Sequence, residues 1–186
     1  MTDKTFELVK TSINKSGIHT DDLPAIDLYM DQVITLIEQA NQKNDRLPDE
    51  KPLTKMMVNN YSKAGLISPI KGKKYTREHI VQMLTIYALK GTLSISEIKS
   101  VLDHLYSQDD FGAAELSGCY EKGLMMQDKA RGELLSLLKD SIAINDDNIS
   151  DRFASLMAVC AISDALSELA RRMAIEYFDA ELPGKK

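Results

Sequence analysis

The residues best suited to metal or nucleophilic chemistry are three histidines and two cysteines, and their spacing serves neither. His19, His79 and His104 lie far apart, and none stands at metal-ligand spacing from Cys119 or Cys160. The two cysteines have no CxxC partner and are expected to pack as small apolar residues. Asp146, Asp147 and Asn148 with Asp151 lack the glycine and distal Glu of a calcium loop, and a helix cap accounts for them better. Gly72 and Gly91 stand alone, so no glycine-rich loop can cradle a phosphate. The expectation is a protein that is not an enzyme, with no catalytic residue, no metal and no cofactor.

The chemistry that remains is ionic. The 186 residues carry a net charge of -5, but residues 51–100 hold 9 Lys/Arg against 2 Asp/Glu. Residues 1–50 hold 5 against 10, and residues 101–186 hold 9 against 16. A basic middle between acidic flanks is what a local anion-binding face looks like in sequence. Two cysteines rule out a disulfide framework. Residues 1–12 carry no apolar block long enough for a signal peptide, and the longest apolar-leaning stretch, Ala154 to Ile162, is far below the ~20 residues of a membrane span. The expected setting is the cytoplasm, with no membrane contact.

Helices must position these charges. Asp21, Asp22 and Pro24 could open a helix on which Tyr29, Val33, Leu36, Ile37 and Ala40 share one face. Asn41 to Pro52 is polar, carries two prolines and reads as a loop. A short helix over about Leu53 to Ala64 ends at Gly65, where a left-handed C-cap residue belongs. Ser68 to Lys74 reads as a basic turn, and Ile67 to Tyr75 is the one place where a two-stranded wing could form. Thr76 caps a third helix with Ile80, Met83, Leu84 and Tyr87 on one face. Ser94 and Glu97 make a capping box for a fourth, with Ile95, Ile98, Leu102 and Leu105 as its buried stripe. A helix or helix pair over Phe111 to Ile142 follows, weakened by glycines, with Met125 and Met126 read as core, as are Met56 and Met57. Asn145 to Asn148 is a turn, and Asn148 caps the last helix. On that helix Leu156, Val159, Ser163, Leu166, Ala170, Met173 and Tyr177 keep a 3,4 spacing over three heptads. Because other faces are apolar too, this helix must be covered on more than one side, either inside its own domain or by the same helix of another chain, and a homodimer is the expectation.

The order of elements from Leu53 to Leu102 resembles the winged-helix domain of the MerR family of bacterial transcription regulators. Tyr61-Ser62-Lys63-Ala64-Gly65-Leu66-Ile67 resembles that family's Y-E-R-x-G-L-L. Pro69, the basic wing ending at Tyr75, the helix start at Thr76 to Ile80 and Leu93 to Ile98 continue the likeness. A wider stretch, roughly Leu23 to Tyr106, resembles the bacterial domain of unknown function 1836. Its two signatures are matched by Leu23-Pro24-Ala25-Ile26-Asp27-Leu28-Tyr29-Met30-Asp31-Gln32-Val33 and by Leu53-Thr54-Lys55-Met56-Met57-Val58-Asn59-Asn60-Tyr61.

The resemblance implies an all-α fold. Residues 1–108 would form a MerR-like winged helix-turn-helix domain with an N-terminal extension, and residues 109–186 a helical dimerisation or effector domain. It implies that Leu53 to Ala64 is a recognition helix for the major groove and that the wing lysines sit over phosphates. Lys55, Asn59 and Ser62 share one side of that helix. With Lys63, Lys71, Lys73, Lys74 and Arg77 they are the expected contacts to double-stranded DNA, and Leu156, Val159, Leu166, Ala170, Met173 and Tyr177 are the expected dimer contacts. Where MerR proteins carry T-L-R-Y-Y, this helix has Asn59 and Asn60, and the acidic residues Asp45, Asp49 and Glu50 precede it. The alternative is a protein-interaction module with a vestigial winged helix. No motif names a small-molecule effector.

Overall fold

The computed structural model describes residues 3–13, 17–42, 52–140 and 148–180. Within them the chain is mostly helical, with seven α-helices and one two-stranded antiparallel sheet. That is the all-α class with a short wing. In chain order these are α1 (Asp3–Ile13), β1 (Leu28–Tyr29), α2 (Met30–Gln42), α3 (Lys55–Lys63), β2 (Lys74–Tyr75), α4 (Arg77–Leu89), α5 (Ile95–Tyr106), α6 (Ala113–Asp140) and α7 (Ile149–Phe178).

The first of the expected helices begins later than Asp21. Thr20–Asp22 is a single 3-10 turn, Leu28–Tyr29 is strand, and α2 starts at Met30. Gln32 explains the start, because its side-chain oxygen accepts the Tyr29 N–H at 2.8 Å, three residues back. Strand alternation then places Leu28 inward and Tyr29 outward, so Tyr29 leaves the core face on which Val33 and Ile37 lie. The sheet has an unexpected second partner. β2 pairs with β1, Leu28 opposite Tyr75 and Tyr29 opposite Lys74, rather than with a strand next to Ile67. From Leu66 to Lys73 the chain is a loop whose turn uses Gly72 at φ +80°.

Local signals set the other helix starts. Thr54 caps α3 by accepting the Met57 N–H, and Gly65 follows at φ +71°. Ser94 and Glu97 close their capping box, with Ser94 N donating to Glu97 Oε2 at 2.6 Å. Desolvation pushes the Glu97 carboxyl up, but the Ser94 hydrogen bonds outweigh it and hold the group below its usual range. At the start of α4, His79 stands in for the usual Glu, its Nδ1 accepting the Thr76 N–H at 3.1 Å.

The core is built around α4. Ile80, Val81, Met83 and Ile86 are essentially inaccessible, and Gln82 is buried among them. A helix covered on nearly every side must be central, a wider burial than the single face its spacing predicts. On α5, Ile98, Val101 and Leu102 are buried while Ile95 is exposed, because Ile95 occupies the first turn beyond the core. The helix α6 is one continuous element through Gly118, Gly123 and Gly132, and Leu116 joins the core. Its outer face carries exposed Met125 and Met126, which are not core residues, and exposed Cys119. Cys160 on α7 is exposed as well, so neither cysteine packs inside. Met56 is likewise on the surface.

Asn148 caps α7, its Oδ1 accepting the Asp151 N–H at 2.8 Å. At the far end Ala174 is buried, and Asp179 takes the left-handed conformation with φ 51°. There the His104 ring meets Phe178 edge-on and its Nδ1 lies 3.2 Å from Asp179 Oδ2, which pins α7 to α5. Elsewhere α7 is largely bare. By length and composition alone it could cross a membrane, with an 18-residue window of mean hydropathy 1.5, none of it buried. Small and apolar residues continue beyond Ile162, which makes the apolar stretch longer than Ala154 to Ile162. The Asp45, Asp49 and Glu50 carboxylates and the Asn145 to Asp147 turn lie outside the described residues.

Candidate nucleic-acid interface

Five lysines of the basic window lie exposed on α3, on the turn before β2 and on β2, whereas Lys90 stacks on the Tyr87 ring at the end of α4 and Lys99 pairs with Asp103 on α5. Lys55 opens α3, with Asn59 exposed one turn on and Lys63 exposed at the end, eight residues or about 12 Å along the axis. Ser62 is half-buried and turned inward, its hydroxyl donating to Val58 O at 3.1 Å. Met56 projects between Lys55 and the asparagines, 70% exposed. Lys71 and Lys73 are exposed on the turn before β2, and Lys74 points outward from β2 itself.

Two contacts join these elements at the entrance to α2. Lys55 Nζ lies 2.6 Å from Asp31 Oδ1 in the first turn of α2. Lys74 Nζ sits 5.4 Å from the centre of the Tyr29 ring, directly across the sheet. Lys55 and Lys74, nineteen positions apart in sequence, therefore flank the same corner, Tyr29 to Asp31. Both sites are open: the Lys55 and Asp31 side chains are 62% and 71% exposed. An ion pair so exposed contributes ~0–1 kcal/mol, as does an exposed cation–π contact. Either lysine can exchange its partner for a phosphate at little cost.

Arg77 is engaged elsewhere. Its guanidinium donates to Thr20 O at 2.6 Å and lies 3.6 Å from Asp21 Oδ1, which ties the start of α4 to the 3-10 turn. The side chain is half exposed, but its geometry is that of a brace. Tyr29 is the residue that periodicity missed. Helical spacing assigned it to a buried face, and only the strand at Leu28–Tyr29 turns it outward. Alternation of Leu28 and Tyr29 is too short a signal to be read without the pairing to β2.

Histidine, cysteine and carboxylate groups do not converge on a metal site among the described residues. The densest polar contact is structural. His19 Nδ1 meets Glu121 Oε1 at 2.5 Å, while the Thr20 N–H and Oγ1 reach Glu121 Oε2 at 3.0 and 3.2 Å. Next to it the Tyr120 hydroxyl donates to Ile18 O, and burial pushes that phenol up to about 12.

A family described as "Domain of unknown function (DUF1836)" matches residues 18–123. The match covers more than half of the chain, which belongs to this family. It starts at the segment held by Glu121 and ends within α6, so it takes in the whole basic corner. Neither a curated protein nor a solved structure matches the chain.

Proposed function

We propose that this protein is a DNA-binding transcriptional regulator whose winged helix-turn-helix is MerR-like, acting as a homodimer in the bacterial cytoplasm. The observation that carries the reading is the corner where Lys55 and Lys74 flank Tyr29, with Lys71 and Lys73 exposed on the adjoining turn. A helix presenting Lys55 and Asn59 can enter a major groove, while lysines on the neighbouring turn meet phosphates. An exposed Asn can pair with adenine, and Lys with guanine or phosphate. Tyr29 adds a polar-tipped aromatic at the same corner.

The bare face of α7 supports the dimer. Nine large apolar side chains on this helix are exposed, among them Leu156, Val159, Leu166, Met173 and Tyr177 of the heptad seam. Their exposures run from 38% at Val159 to 76% at Ile149, so apolar surface is left uncovered along this helix. Ala170 lies half-buried within that seam. Two copies joined there would present two recognition helices, as a near-palindromic site requires.

Fluorescence anisotropy with mixed duplex fragments at stepped salt concentrations tests the DNA reading. Affinity should fall steeply with salt, and the Lys71/Lys73/Lys74→Ala variant should lower the log–log slope by about 3, close to one for each phosphate no longer neutralised. Salt-independent binding, or a slope unchanged in that variant, contradicts it. The exposed α7 face also favours a second reading, a protein-interaction module with a vestigial winged helix. Capture of one defined partner through α7, with no DNA retardation at low salt, selects that reading.

A further inference from the structure

Gln82 is the most deeply buried polar side chain among the described residues, at 1% exposure, and it sits among the apolar residues of α4. An amide in such a place must have partners, because an unpaired one costs ~1–3 kcal/mol. Gln82 spends its groups on the loop after α3 and on the end of α5. Its Oε1 accepts the Ser68 N–H at 3.0 Å, and its Nε2 donates to Ser68 Oγ at 2.8 Å and to Tyr106 Oη at 3.1 Å. Both hydroxyl oxygens are thus acceptors for Gln82. Neither hydroxyl hydrogen has an acceptor among the described residues.

These three residues line a cleft of about 430 Å³ whose apolar walls are Ile67, Pro69 and Ile70. The volume lies within the range of small-molecule sites. The two hydroxyls occupy the two donor directions of one amide nitrogen, which sets their oxygens about 5 Å apart. A single acceptor oxygen, or the two oxygens of one carboxylate, can span that gap and take a hydrogen bond from each. Burial pushes the Tyr106 phenol above its ordinary range, opposed by the Gln82 hydrogen bond and reinforced by the Glu78 charge, so it remains a donor at neutral pH. The Phe111 ring meets Tyr106 edge-on at 5.9 Å and fixes its orientation.

We infer that this cleft binds a small molecule with a carbonyl or carboxylate head, held by Ser68 and Tyr106, and a short apolar body, held by Ile67, Pro69 and Ile70. The lining also includes Ser62 of α3 and Ile70, the residue before the Lys71–Lys74 turn. Occupancy therefore bears on the two elements that carry the cationic corner. The consequence for DNA rests on the proposed function, whereas binding itself does not.

Amide chemical shifts of the full-length protein without DNA separate the two. Hexanoate and hexanamide are the probes, and hexylammonium, which has the same tail but only donors, is the control. Hexanoate or hexanamide should shift the amides of Ile67, Ser68, Ile70 and Tyr106 saturably, with hexylammonium silent; the stronger of the two identifies a charged or neutral head. Tyr106→Phe and Ser68→Ala should each weaken binding about fivefold, the loss of one hydrogen bond. Both variants keep the apolar walls, and thermal unfolding checks that each is folded. Shifts that fail to saturate, that map elsewhere, that are equal for hexylammonium, or that persist undiminished in both variants overturn the proposal. Loss of DNA binding with probe binding intact would remove the regulatory reading and leave the site.

Discussion

Glu121 shows how one residue can hold distant parts of a chain together. Its two oxygens take His19 and Thr20, about a hundred positions away, and so lock the segment before α2 onto α6. The hydrogen bond that His19 donates to Glu121 raises the imidazole above its ordinary 6.5, and the same bond, with the Thr20 N–H, lowers the Glu121 carboxyl below 4.5. The signs follow from which state each contact favours. The His19 contribution is complete below pH 6.5 and is lost as pH rises through the raised value. The Glu121 contribution is complete above pH 4.5 and is lost as pH falls through the lowered one. The contact therefore stabilises most between the two. Thermal unfolding across that range should show Glu121→Gln flattening the profile, the loss being largest on the plateau and smaller on either side. A variant profile parallel to that of the parent protein would rule out this contact as the source.

At the scale of the element, caps decide where helices begin and a neighbour decides what they face. The Ser94 box is an example of the first: Ser94→Ala removes the acceptor of the Glu97 N–H and should cost about 1 kcal/mol in urea unfolding, with an unchanged m-value. The helix α7 is an example of the second. Its heptad spacing is plain in the sequence, but spacing alone does not say whether the seam faces its own core or another molecule. Ala174 is enclosed, whereas Leu166 is 56% exposed in the middle of the seam. A charge placed at Leu166 should leave the monomer intact and prevent the proposed dimer from forming. Under that proposal, sedimentation should give a dimer for the unmodified chain and a monomer for Leu166→Glu; a dimer that persists in the variant would place the contact elsewhere, and a monomer in both would refute the dimer.

For the whole molecule, the acidic flanks and basic middle become a question of shape. A net charge of -5 would repel a nucleic acid if it were spread evenly. Instead Lys55 and Lys74 flank the Tyr29–Asp31 corner and Lys71 and Lys73 are exposed on the turn before β2, while residues 101–186, which include α6 and α7, carry 16 of the 28 carboxylates. If α7 joins two copies, the thermal midpoint should rise with protein concentration, since dissociation accompanies unfolding. A midpoint independent of concentration would argue for a stable monomer and for α7 as a surface for another protein.

The sequence by itself determined what is local. Thr76, Ser94 and Asn148 marked helix starts, Gly65 and Gly72 marked the turns, and the 3.6-residue period marked the core faces of α2 and α4. Such signals act within a turn or two of chain, so they survive without knowledge of the fold. Only the tertiary structure decided the strand at Leu28–Tyr29, the outward Tyr29, the diversion of Arg77 to Thr20, the burial of Gln82 and the exposure of α7. Each of these depends on a partner that is distant in sequence, and pairing at that distance leaves no periodic trace in the chain.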